Sequence, residues 1–243
     1  MVWAALADLV LPAECAGCRT PHVPLRRGAC ADCAAALSTL RPRVHRPDPA
    51  PAGLPACVAV GEYGGPLREA LLSYKERGRT TLAAPLGTML AEAVAAAAGG
   101  ARRPVLLLPV PTTAAAIRAR HGDHLRRLAL RATRVLRAAG WPVTLAQPLR
   151  ALPKPDSTHL DSAQRAIAAA AAFRLRPRHA ARVRAATGAA GSGSGTAAAA
   201  VVLVDDIVTT GATLAAIATI LAGAGIRVDA AATLAATRRR HPQ

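Results

Sequence analysis

Val201 to Thr213 reads V-V-L-V-D-D-I-V-T-T-G-A-T, and four features follow one another in it. An apolar strand ends in two adjacent carboxylates, Asp205 and Asp206, and a short apolar pair follows. Thr209, Thr210, Gly211, Ala212 and Thr213 then form a loop that opens a helix. A strand hydrophobic on both faces lies centrally in a parallel sheet, and its carboxyl end sits at the edge where such sheets bind ligands. The loop and helix start offer free backbone N–H groups, hydroxyls and the positive end of the helix dipole, which suit a phosphate monoester. Gly211 lets the backbone approach closely. Paired acids would repel that phosphate, so they suit hydroxyls or a metal-bound sugar. A sugar carrying a phosphate satisfies both halves. The plainer explanation, a strand–turn–helix with an acidic cap, does not require acids, threonine pair and glycine to fall in register.

The second constellation is Cys15-x-x-Cys18 and Cys30-x-x-Cys33, separated by eleven residues. Two thiolate knuckles at this spacing can close a tetrahedral four-sulfur Zn²⁺ site, with Gly17 giving the first its tight turn. Such a closed site is structural, since no position stays open for water. Four free thiols or two redox pairs are the alternatives. His22 and His45 are weaker ligand candidates, and Cys57 stands apart as a core cysteine.

These groups need a scaffold. Residues 1–57 carry the cysteines and end in a proline-rich stretch, Arg41 to Pro55, which reads as an extended connector. Residues 58–243 alternate strand and helix patterns: strands at Val58–Tyr63, Pro104–Val110, Val143–Leu145, Ala199–Val204 and Arg227–Leu234. Helices are expected at Leu67–Tyr74, Thr81–Ala98, Leu125–Ala139 and Thr213–Ala224. The expected class is α/β with a mostly parallel sheet. Residues 146–162 read as a mobile loop, and 183–196, rich in glycine and serine, as a flexible insertion.

Composition bounds the rest. Of 243 residues, 62 are alanine, so about half of the 52% hydrophobic share is alanine methyl groups. The net charge is +17, with only Lys75 and Lys154 as lysines. This arginine-for-lysine usage reads as compositional drift and weakens any inference from charge to nucleic acid. The longest apolar runs, Ala166–Phe173 and Ala197–Val204, fall short of a membrane span. The first twelve residues lack a basic start and a small-x-small cleavage site, so a cytoplasmic protein is expected.

The thirteen residues from Val201 are similar to the signature that type I phosphoribosyltransferases use to bind phosphoribosyl pyrophosphate (PRPP). Preceded by two zinc knuckles, the whole chain resembles the ComF family of competence-associated, phosphoribosyltransferase-like proteins. Leu72-Ser-Tyr-Lys-Glu-Arg-Gly-Arg79 resembles its Tyr/Phe-Lys-x-x-Gly-Arg segment. Leu108-Pro-Val-Pro111 and Arg118-x-Arg120-His-Gly122 resemble its pyrophosphate loop and Arg-x-Arg-Gly stretch. Leu160-Asp-x-x-x-Arg165 sits where the family places a loop that folds over the ligand. Gly122-Asp123-His124 replaces the usual Gly-Phe-Asn-Gln, and His121 is extra.

The resemblance implies a type I phosphoribosyltransferase fold with a small N-terminal zinc module. It assigns Asp205 and Asp206 to the ribose hydroxyls, and Thr209, Thr210, Gly211, Ala212 and Thr213 to the 5-phosphate. Lys75 and Arg79 become cations near the substrate, and Arg118 and Arg120 stabilise the departing pyrophosphate with Mg²⁺. His121 and His124 are candidate bases, although a surface histidine at a helix start is the commoner case. Three functional classes stand: transfer of a phosphoribosyl group to an unassigned acceptor, PRPP binding without efficient transfer in DNA uptake, or direct nucleic-acid binding through the zinc module and the +17 charge. The second brings in competence proteins or single-stranded DNA as candidate partners, with a homodimer as a candidate assembly and no membrane. Five scattered aromatics, Trp3, Tyr63, Tyr74, Trp141 and Phe173, do not make a base-stacking platform.

Overall fold

The computed structural model describes residues 14–153, 171–188 and 198–237. In chain order the elements are α1 (Ala31–Ser38), β1 (Arg43–His45), β2 (Ala56–Glu62), α2 (Gly65–Lys75), a 3₁₀ turn (Thr80–Leu82) and α3 (Ala83–Ala97). There follow β3 (Val105–Pro109), α4 (Ala114–Ala119), α5 (His124–Ala138), β4 (Val143–Leu145) and β5 (Leu149–Ala151). The last are β6 (Phe173–Leu175), α6 (Pro177–Gly188), β7 (Ala200–Val208), α7 (Ala212–Gly223) and β8 (Ala230–Ala236).

The main sheet has the order β1-β2-β8-β7-β3-β4. Only β1 runs antiparallel, against β2; every other pairing is parallel. Alternation along each central strand feeds two layers. Val202 and Val204 of β7, with Val58 and Val60 of β2, pack beneath α2, α3 and α5. Val201 and Leu203, with Cys57 and Ala59, pack beneath α6 and α7. The chain is therefore a mixed α/β fold with a mostly parallel sheet flanked by helices, as the periodicity predicts.

Alanine has a structural use here. All seven residues of β8 are buried, five of them alanine, which leaves room for helices to lie close to the sheet. Leucine and isoleucine supply the bulk: Leu86, Leu90, Leu128, Leu203, Ile217 and Leu234 are among the fully buried side chains. Helix α5 buries Leu125, Leu128, Ala129, Ala132 and Leu136 at helical spacing and turns its arginines outward. Thr80–Ala97, among the described residues the one stretch long and apolar enough to cross a bilayer, is the 3₁₀ turn and α3. Its Leu86, Leu90 and Val94 are core residues under the sheet.

Four expectations differ. The connector contains β1, which adds an antiparallel edge strand, and Ala56 and Cys57 already belong to β2. The loop expected from residue 146 contains β5, paired with β6. The insertion expected from residue 183 is helical through Gly188, as part of α6. Strand β7 runs on to Val208, so the acids lie within it rather than at its end. Three-residue strands and a helix rich in alanine and arginine carry too little periodicity to be read alone. Arg165, Lys154 and residues 189–196 lie outside the described residues.

Candidate functional site

Two strands of the parallel sheet send their chains to helices on opposite faces: β3 leads through α4 to α5 on one side, β7 to α7 on the other. The crevice between their carboxyl ends is a topological switch point, where open α/β sheets bind ligands. The Val110 N–H donates to the Val204 carbonyl at 2.9 Å, which holds the loop after β3 beside β7. Beyond β7, Thr209 and Thr210 turn into Gly211, the N-cap of α7 at φ +75°. The positive φ disfavours a side chain there, and a Cβ would stand 2.8 Å from Leu54 Cδ1, so the leucine tip would have to shift. The Thr210 hydroxyl accepts the Ala212 N–H at 3.4 Å. Asp205, Thr209, Thr210, Gly211, Ala212 and Thr213 line a depression of about 40 Å³. Larger clefts, about 640 and 560 Å³, lie away from it, on either side of α1.

Strand alternation separates the two acids. Asp206 follows Val202 and Val204 toward the α2/α5 face, where the Lys75 ammonium lies 2.6 Å from its Oδ2. The His124 Nε2 lies 3.2 Å from the same oxygen. Burial pushes the Asp206 carboxyl up, but the His124 bond and the Lys75 charge outweigh it and hold it down at about 2. Asp205 accepts the Asp206 N–H through Oδ1 at 2.9 Å. Burial and the neighbouring Asp206 charge push its carboxyl well above the usual range. One acid is thus held ionised, and the other is the more readily protonated of the two.

His124, expected at the surface, is buried, at 7% exposure. It opens α5 directly after the N-cap Asp123, whose carboxylate accepts the Arg126 N–H. Tyr74 on α2 donates its hydroxyl to the His124 carbonyl at 2.8 Å and meets the ring edge-on, with centroids 6.2 Å apart. Sequence reading missed Tyr74 and Asp123 as supports; an aspartate just before an apolar-periodic run was the available signal for the cap.

The structure gathers the other candidates unequally. Arg120 at the end of α4 pairs with Glu76 at 3.1 Å, next in sequence to Lys75, so the Arg118-x-Arg120 stretch meets the C-terminus of α2. Arg118 is exposed on the last turn of α4. Arg79 does not join this corner. Its guanidinium donates to the Glu14 carbonyl, just ahead of the first knuckle.

The four cysteine sulfurs all lie within 4.8 Å of one another. Cys18 and Cys30 sulfurs are 3.8 Å apart, the edge of a sulfur tetrahedron around an ion at about 2.3 Å. Backbone N–H groups of Gly17 and Cys30 donate to Cys15 Sγ at 3.3 and 3.2 Å. Burial raises Cys15, but these donors outweigh it and bring it to about 6. Burial and the neighbouring thiols push Cys33 far upward. Four thiolates this close need a cation, and the all-sulfur donor set suits zinc. A Cβ on Gly17 would stand 2.7 Å from Cys33 Sγ, so only glycine fits the knuckle. The module rests on α2, with Ala16 in the main core and the Ser73 hydroxyl donating to its carbonyl at 3.3 Å. No protein-family model matches the chain, and no curated protein matches it as a relative.

Proposed function

We propose that the chain is a PRPP-binding protein of the ComF type, with a type I phosphoribosyltransferase fold and a structural zinc module. The observation that carries this reading is the β7–α7 corner. Two acids on a central parallel strand run into a Thr-Thr-Gly-Ala-Thr loop at a helix start, at the switch point of the sheet. The loop's N–H groups and hydroxyls would take the 5-phosphate. Asp205, facing the same depression, would take the ribose hydroxyls. The other end of the donor would lie toward the loop after β3 and toward Arg118 and Arg120, whose charge suits a diphosphate.

Lys75 pairs with Asp206, and Arg120 pairs with Glu76, the next residue after Lys75, so both cations stand at the C-terminal end of α2, where their charge suits a magnesium diphosphate. Mg²⁺ would ride on the donor's own oxygens and neutralise charge on the departing pyrophosphate. The protein's share would be positional and electrostatic: holding the ribose and excluding water while C1 becomes electron-poor.

Calorimetric titration with PRPP and Mg²⁺, ribose 5-phosphate and pyrophosphate tests this. PRPP should bind about tenfold or more tighter than either fragment, since it engages both ends of the site. Equal binding of PRPP and ribose 5-phosphate would remove the pyrophosphate half, and no binding of PRPP would overturn the proposal. Pyrophosphate release in a panel of bases and amines then separates transfer from binding alone.

A further inference from the structure

We propose that the acid pair divides its work: Asp206 is an anchor clamped by Lys75 and His124, Asp205 alone faces the ligand, and His124 is the positioning residue. The inference deepens, and rests on, the reading of this corner as a sugar-phosphate site. Three observations carry it. Asp205 lines the depression beside the threonine loop, whereas Asp206 does not. Asp206 Oδ2 is engaged twice, by Lys75 at 2.6 Å and His124 at 3.2 Å, and its side chain is only 9% exposed. His124 itself is more than nine-tenths buried, and its Nδ1 has no hydrogen-bond partner among the described residues.

The last point matters most. A buried ring nitrogen left unpaired costs free energy, and an apolar side chain of similar size would avoid that cost. What the imidazole adds is the Nε2–H donated to Asp206. Its neighbours fix the ring for that bond: Tyr74 edge-on from α2, the Asp123 cap, and the α5 backbone that Tyr74 holds through the His124 carbonyl. Asp206 from β7 meets its Nε2, Lys75 from α2 shares the same carboxylate oxygen, Tyr74 packs on the ring, and Asp123 and Arg127 of α5 act on Tyr74 beside it. Asp206 in turn sets Asp205, since its N–H holds Asp205 Oδ1 at 2.9 Å. That N–H belongs to the strand backbone, so the clamp on the Asp206 side chain reaches Asp205 by fixing the stretch of β7 that holds its carboxylate.

The test uses the full-length protein with His124→Gln, which keeps an N–H donor, and His124→Leu, which fills the space without one. Carboxyl ¹³C titration of the free protein reads Asp206 directly. Its midpoint should rise by about one unit or more in His124→Leu and stay within about half a unit of wild type in His124→Gln. PRPP with Mg²⁺ should bind about tenfold more weakly to His124→Leu and within about threefold of wild type to His124→Gln, with like melting temperatures. On addition of PRPP to wild type, the Asp205 resonance should move and that of Asp206 should not. An unmoved Asp206 midpoint in His124→Leu, or equal ligand shifts at both acids, overturns the proposal. If the midpoints behave as expected but wild type binds no PRPP, the donor-site reading falls while the clamp stands.

Discussion

Replacing Lys75 by methionine keeps the aliphatic stem that packs at the end of α2 and removes the ammonium 2.6 Å from Asp206. Both groups are substantially buried, with side-chain exposures of 20% and 9%, so the pair is not a solvated surface contact. In the wild type the Asp206 carboxyl sits at about 2 against an ordinary 3.8. Without the ammonium, the His124 bond still opposes burial, and the carboxyl rises toward its ordinary range. At about 1.4 kcal/mol per unit, Lys75→Met should cost up to about 2.5 kcal/mol at pH 7. The sign follows from the depressed folded value: this stability is fully present above about pH 4 and is lost as pH falls toward 2. At pH 3 the difference between variant and wild type should therefore shrink to about 1 kcal/mol. Asp205 works the other way, because its raised value costs stability at neutral pH that returns on acidification. The assay is urea unfolding of both proteins at pH 7, 5 and 3, compared at each pH so that Asp205 largely cancels. A cost below about 0.5 kcal/mol at pH 7, or one that does not change with pH, would refute the reasoning.

Three further outcomes are expected. Gly17→Ala should lower both zinc content and melting temperature, because its Cβ would stand 2.7 Å from Cys33 Sγ; metal analysis of the purified protein checks it. Gly211→Ala forces a side chain into φ +75° and against Leu54, and should cost about 1–2 kcal/mol in denaturant unfolding, with PRPP affinity falling alongside. Arg79→Ala should loosen the cysteine module through the Glu14 carbonyl, so chelators should strip zinc faster while pyrophosphate binding is unchanged. Weakened pyrophosphate binding in that variant would return Arg79 to the substrate.

What the sequence showed of the fold followed the strength of the local pattern. Strand β7 and helix α5 were legible because Val-Val-Leu-Val and the Leu125–Leu128–Leu136 spacing are strong signals. Strands β1 and β5 were not, since three residues beside prolines hold no period and gain their order from partners distant in the chain. Within the site, the acids, the threonine loop and the cysteine knuckles are local motifs and could be read directly. The Lys75–Asp206 pair joins elements 131 positions apart, and the burial of His124 depends on how α5 meets α2 and β7. Arg79 shows the converse: a basic residue in a suggestive segment can serve the backbone of a neighbouring module instead.

Thermal unfolding with saturating PRPP and Mg²⁺, on wild type and Asp205→Asn, tests the proposed donor site most directly. Ligand at about a hundredfold excess over its Kd stabilises by about 2.7 kcal/mol, which for a chain of this size raises the melting temperature by about 5–10 °C. Wild type should show that rise, and Asp205→Asn should show less than about 2 °C. Equal shifts in the two proteins, or no shift in either, would contradict the placement of a sugar-phosphate at the β7–α7 corner.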